Sequence, residues 1–203
     1  MQEYVTNEYD SDEEKEIIAY GLERIRENVL AFGFTVLVGF CYGDVLSGVL
    51  LWVFLYPIRS SAGGYHAQTR WGCRVMSVSL LLAAYTAVYA VNRLAYGQMI
   101  LLGLLLCAVL TLWLLAPIGT ENKPLDDIEH RIYQKRTRII VLVETILAVF
   151  TLYEGISVIY LPIVMAFLIS SALLVMGCIK LRKIRESKHQ LYILQQMKGK
   201  KSC

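Results

Sequence analysis

The chain has 203 residues, of which 56% are hydrophobic and 18% charged, with a formal net charge of +3 and a mean hydropathy of +0.50. A soluble domain of this size carries about 45–50% apolar and about 25% charged residues, so an ordinary soluble globular protein is excluded. The charges gather in residues 1–28, 59–74, 121–138 and beyond 179, and the long, nearly uncharged intervals between them read as lipid-spanning segments.

The chain opens on acid (Glu3, Glu8, Asp10, Asp12, Glu13, Glu14 and Glu16). Residues 11–27 predict an amphipathic helix: Ser11 is placed to cap it, and Ile17, Ile18, Leu22, Ile25 and Val29 share one face. Such a helix is expected to lie at the head groups. No secretory signal peptide is expected, because the first hydrophobic run follows an acidic segment.

The apolar block 29–58 is too long for one ordinary crossing and is interrupted by Tyr42-Gly43-Asp44. It predicts two short helices, 29–42 and 45–57, joined by a tight turn at Asp44 and forming either two spans or a re-entrant pair. Clearer spans follow at 75–92, 99–117, 139–154 and 158–179. The fold class is therefore all-α, a polytopic transmembrane helical bundle of about six spans, two of them short, plus an N-terminal amphipathic interfacial helix.

Counting bases in the loops orients the bundle. With the N-terminus inside and six crossings, Arg59, Arg70 and Arg74, then Lys123, Arg131, Lys135, Arg136 and Arg138, then the basic tail all fall on the cytoplasmic side. The expected location is a multi-pass protein of the cell membrane, with both termini and the loop 59–74 cytoplasmic. A single crossing for 29–58 is the second choice and puts the N-terminus outside. The domain plan is an acidic start and interfacial helix over 1–28, and a membrane domain over 29–179 with a loop at 59–74 and a polar loop at 118–138. A basic tail over 180–203 completes it. That tail is explained by anionic head groups, so membrane lipids and not nucleic acid are the expected partners.

Five cysteines show neither disulfide nor metal-ligand spacing, and no metal or other cofactor is expected. Cys41, Cys107 and Cys178 lie in apolar stretches, where cysteine packs as a small residue, and Cys203 ends the chain. Cys73 alone sits among polar neighbours, in Arg59-Ser60-Ser61-Ala62-Gly63-Gly64-Tyr65-His66-Ala67-Gln68-Thr69-Arg70-Trp71-Gly72-Cys73. It is also the one place where a histidine and a cysteine lie near each other. A thiol nucleophile needs a base or a cationic partner to act near neutral pH, and an imidazole supplies either. Arg59, Arg70 and Arg74 add positive potential that would draw a carboxylate-bearing substrate. On one continuous helix His66 and Cys73 would share a face but stand about 10.5 Å apart along the axis. Either the helix bends between them, with Gly72 the obvious place, or His66 precedes it.

This segment resembles the signature of the accessory gene regulator protein B (AgrB) family, membrane cysteine endopeptidases of Gram-positive bacteria that process a quorum-sensing propeptide. The likeness is carried by Arg59, Gly64, the pair His66-Ala67, and Cys73, with the polar Asn122-Lys123-Pro124 at the corresponding later loop. The resemblance implies that Cys73 attacks a peptide carbonyl with His66 as base and then acid, giving a thioester. An internal thiol or hydroxyl of the peptide then closes a thiolactone or lactone. The implied partner is a short amphipathic propeptide, and a homodimer is left open.

Supporting roles are weighed beside plainer ones. Arg59 is either a substrate clamp or a positive-inside anchor. Gly63 and Gly64 shape the loop, and Lys123 could bind an acidic end of the propeptide. Glu144, inside a predicted span, either orients His66 or, by the preferred reading, pairs with an arginine. Asp44 is read simply as a turn residue. The rival readings are a small membrane transporter, in which Cys73 is dispensable, and a non-catalytic scaffold, in which His66 is dispensable too.

Overall fold

A computed structural model describes residues 2–65, 69–119 and 126–200. These form six α-helices: α1 (Gln2–Cys41), α2 (Val45–Ala62), α3 (Arg70–Asn92), α4 (Gly97–Leu115), α5 (Asp127–Tyr153) and α6 (Ser157–Lys200). Four helices are long and apolar enough to cross a membrane, at Val45–Ala62, Trp71–Asn92, Gly97–Leu115 and Ser157–Ser187. The other two carry too much charge at one edge: Arg24, Arg26 and Glu27 precede the apolar half of α1, and α5 combines Arg136 and Arg138 with Glu144. The predicted pair of short segments is thus unequal, since α2 is of spanning length and apolar α1 is the shorter partner.

Two predicted pieces merge. The amphipathic segment and the first apolar segment are one unbroken helix, 40 residues long. No proline lies in it and Gly33 does not stop it, so the change from polar to apolar residues near Asn28 is a change of surroundings, not of backbone. The apolar face Ile17, Ile18, Leu22, Ile25 and Val29 is exposed, as a lipid- or interface-facing stripe requires.

The break at Tyr42-Gly43-Asp44 falls where the sequence puts it. Gly43 takes φ 78°, and Asp44 caps α2 by accepting from the Ser47 N–H at 2.9 Å. Asp44 does more than turn the chain. Its second carboxylate oxygen accepts from the Tyr89 hydroxyl at 3.1 Å, while Tyr85 donates to Ser47 Oγ at 3.4 Å. The rings of Tyr85 and Tyr89 stack and Tyr42 packs tilted against both, so this turn is locked onto α3. Asp44→Ala is expected to cost about 1–2 kcal/mol of stability through loss of the cap and of the partly buried acceptor for Tyr89. Asp44→Asn should keep most of it; thermal unfolding of the detergent-solubilised pair decides, and an unshifted alanine variant would refute the assignment.

Above the turn, α1 and α2 run back to back at close range. A Cβ on Gly48 would come within 2.6 Å of the Thr35 carbonyl oxygen, and one on Gly39 within 2.8 Å of the Gly48 nitrogen. Small residues at such a crossing let backbones approach where lipid offers no hydrophobic drive for association. At the centre of the bundle stands α6, which packs on α2, α3, α4 and α5. Its residues Ile163, Val164, Met165, Ala166 and Phe167 are fully buried. The helix continues past the apolar stretch through the basic tail to Lys200.

Candidate active site

The site forms where α2 ends and α3 begins. Glycines stop α2: Gly63 takes φ 71° and ψ −144°, and Gly64 φ 131°, conformations that side-chain-bearing residues rarely adopt. The extended piece that follows is held from two sides. The Ile118 N–H, just beyond α4, donates to the Ala62 carbonyl at 3.0 Å and forms a parallel bridge with Gly63. The Tyr65 N–H donates to the Leu173 carbonyl of α6 at 2.9 Å. Close approach to α6 is permitted by Gly177, where a Cβ would lie 3.0 Å from the Tyr65 nitrogen. Lys180, one turn further along α6, places its ammonium over the Tyr65 ring at 5.2 Å.

Arg59 belongs to the same construction. Its Nη1 donates to the Gly63 carbonyl at 3.3 Å, and a Cβ on Gly64 would come within 2.7 Å of that same nitrogen. The arginine and the second glycine of the motif are therefore one packing unit: the guanidinium occupies the space a side chain at 64 would need. Partly buried at the end of α2, Arg59 also lies within electrostatic reach of Cys73.

Cys73 sits in the first turn of α3. Thr69 caps that helix, its Oγ1 accepting from the Gly72 N–H at 3.1 Å, and the Cys73 N–H bonds to the Thr69 carbonyl at 3.1 Å. Because α3 starts at Arg70, Gly72 is helical and makes no bend; His66 instead precedes the helix, the second of the two geometries left open by the sequence. The Cys73 side chain is partly exposed, as an attacking sulfur must be. Next to it, Arg74 reaches across to Glu27 of α1 at 3.8 Å, half exposed and so contributing little energy while tying the two helices together.

His66 and Lys123 lie outside the described residues, as does the side chain of Arg70. Glu144 is buried, in the stripe Thr137, Val141, Glu144, Ala148 and Thr151 that α5 turns to the bundle. The expected arginine partner is not found: among the described residues Glu144 Oε2 has no hydrogen-bond partner, and Arg138 lies over the Trp113 ring at 5.2 Å. An unpaired buried carboxyl is costly, so Glu144→Leu is expected to raise stability by about 1–3 kcal/mol. A lowered unfolding temperature for that variant would show that Glu144 has a stabilising partner after all. The residues that sequence reasoning missed are Gly177, Leu173 and Lys180 on α6. The one signal for them was a glycine inside an otherwise apolar helix, which often marks close backbone approach.

Comparison with known proteins gives the family. A family model described as Accessory gene regulator B matches residues 1–178. An AgrB-like protein of Listeria innocua is 28% identical over 123 residues, covering 61% of this chain and 59% of its own length. An AgrB-like protein of Listeria monocytogenes serovar 1/2a is 30% identical over the same extent. Protein FsrB of Enterococcus faecalis is 30% identical over 99 residues, 48% of this chain and 40% of its own length. The match thus spans about three-fifths of the Listeria relatives. No solved structure matches. With a family model matched over nearly nine-tenths of its length, from residue 1 to 178, the chain belongs to the accessory gene regulator B family.

Proposed function

We propose that this chain is a membrane-embedded cysteine endopeptidase that cleaves a short signalling propeptide at the cytoplasmic face, in a quorum-sensing pathway. The observation that carries the reading is that the Arg59–Gly63–Gly64 unit ends α2 shortly before the partly exposed Cys73 in the first turn of α3. Family membership supports it.

In the proposed reaction His66 takes the Cys73 proton as the sulfur attacks a propeptide carbonyl. The tetrahedral adduct collapses, the C–N bond breaks, and His66 returns the proton to the leaving amine. The acyl group is now a thioester on Cys73. A thiol or hydroxyl within the same peptide then attacks that thioester, loses its proton and releases Cys73 as a thiol. The product is a thiolactone or a lactone, with no net oxidation. Arg59 positions the Gly63–Gly64 backbone and supplies positive charge beside the sulfur. A site at the lipid boundary limits competing water, which would hydrolyse the thioester. Lys123 is proposed to meet an acidic portion of the propeptide.

The test is co-expression with a candidate propeptide, followed by mass spectrometry of the peptide and of the protein. The reading requires cleavage by the wild type and an acyl adduct on Cys73. A peptide left intact by the wild type, or cleaved equally by Cys73→Ala, brings the transporter or scaffold reading forward.

A further inference from the structure

A second site lies on the outer side of the bundle, at the same end as Cys73 but on other residues. Between α2 and α5 runs an open cleft of about 540 Å³, lined by Pro57, Ile132, Lys135, Arg136, Ile139 and Ile140. That volume falls in the ~300–1,000 Å³ range of small-molecule clefts. Its origin is local. Pro57 interrupts α2 and has no N–H, and the carbonyl of Pro57 is taken by the hydroxyls of Ser60 at 3.0 Å and Ser61 at 2.7 Å. No polar backbone atom of that residue therefore needs a partner from the cleft.

The lining has a definite polarity. Ile132 and Ile139 are more than half exposed to the surroundings, and with Ile140 and Pro57 they make an apolar floor. Lys135 and Arg136 are both exposed and stand at the rim, just where α5 passes from its charged first half to the uncharged run that begins at Ile139. The cleft contains no acidic side chain. An occupant that complements this lining is apolar along its length and anionic at one end. A phospholipid with an anionic head group has that shape and charge, and basic pockets between membrane helices suit such head groups. An amphipathic peptide helix would leave its own polar face against the isoleucines or against lipid.

We infer that the cleft between α2 and α5 binds an anionic phospholipid, its phosphate held by Lys135 and Arg136 and one acyl chain lying along Ile132, Ile139 and Ile140. The inference is independent of the peptidase reading. Pro57 stands two residues before Arg59 on the same helix.

The experiment uses the full chain in nanodiscs of phosphatidylcholine with a minor share of phosphatidylglycerol, extracted into mild detergent and weighed by native mass spectrometry. Wild type is expected to retain phosphatidylglycerol over phosphatidylcholine. The double variant Lys135→Gln/Arg136→Gln should lose that preference at least fivefold. Ile132→Trp, which keeps both cations and fills the floor, should lose it as well. A control pair on the exposed part of α6, Lys183→Gln/Arg185→Gln, should behave as wild type. Equal retention by the Lys135/Arg136 variant overturns the site, as does equal loss in the control, which would mean general attraction to basic residues. Wild-type retention by Ile132→Trp overturns the cleft and leaves surface charge. If instead the rim variant keeps phosphatidylglycerol but loses binding of an acidic amphipathic peptide, the occupant is peptide and the lipid assignment fails. Thermal unfolding of each variant establishes that it is folded.

Discussion

Cys73→Ala and His66→Ala are each expected to lower propeptide cleavage at least about a thousandfold while leaving membrane insertion unchanged. The magnitude follows from what each removes. Without the sulfur there is no covalent route, and without the imidazole the thiol loses the general base that contributes roughly 10²–10⁴ in rate. Residues that act as one unit do not add, so the double variant should be no worse than about either single one. Stability should barely respond at Cys73, because the side chain is partly exposed and outside the buried core. Cys73→Ser is a sharper probe: it keeps shape and polarity but replaces a good nucleophile with a poor one, and should be nearly as inactive as alanine. The measurement is peptide mass spectrometry normalised to the amount of protein in the membrane fraction. Cleavage within about tenfold of wild type by Cys73→Ala would end the catalytic assignment, since no rate factor of the ordinary size for a nucleophile would then be missing.

At the paired glycines the expected results differ between neighbours, which makes them a test of the geometry itself. In Gly63→Ala the new Cβ collides with the Ile118 carbonyl, a backbone atom fixed by the bond from Ile118 N–H to Ala62. Neither side can yield cheaply. Strain of about 1–3 kcal/mol in the backbone plus about 1 kcal/mol for a disturbed hydrogen bond predicts a lower unfolding temperature, by ~5 °C or more. In Gly64→Ala the new group meets the end of the Arg59 side chain, which can swing away. An alanine at φ 131° is strained even so, and Arg59 would also give up its bond to the Gly63 carbonyl. Gly64→Ala is therefore expected to lose activity beyond what its lost stability explains, and Gly64→Ala/Arg59→Ala to unfold earlier than Arg59→Ala alone, since the backbone strain at 64 does not depend on the guanidinium. A Gly63→Ala protein as stable as wild type would mean that the junction of α2 with Ile118 is not as described.

These contrasts explain how far the sequence could be read. The helices were legible because turn residues punctuate an apolar text: Gly43 and Asp44 after α1, and Glu154 and Gly155 after α5, mark real breaks. The union of the amphipathic start with the first apolar stretch was not legible, because composition switches at Asn28 with no backbone signal to accompany it. At the site, Arg59, Gly64 and Cys73 were named from the motif, yet the motif could not say why the arginine and the glycine go together. The reason is a single nitrogen filling the space above a missing Cβ. Gly177, Leu173 and Lys180 escaped because their contribution is made across more than a hundred residues of chain, and nothing local distinguishes them from packing residues. Glu144 was rightly singled out as costly, but its expected arginine partner is absent among the described residues, since α5 directs it into the bundle while Arg138 faces Trp113.

The bridge between Gly63 and Ile118 also has a topological meaning. It closes the chain into a loop, so the hairpin of α3 and α4 departs from the rest of the protein and returns to it at one point. The two ends of this segment therefore meet at one place, while its faces stay packed on α6 and on the Asp44 turn, and Cys73 lies inside it. Chimeras that swap this hairpin between relatives would carry the thiol of one parent onto the frame of another, with Arg59 and the groove of α6 supplied by the host. The boundary of that hairpin falls between Arg59 and Cys73, so a chimera tests whether the α6 face of one relative accepts the α3–α4 pair of another.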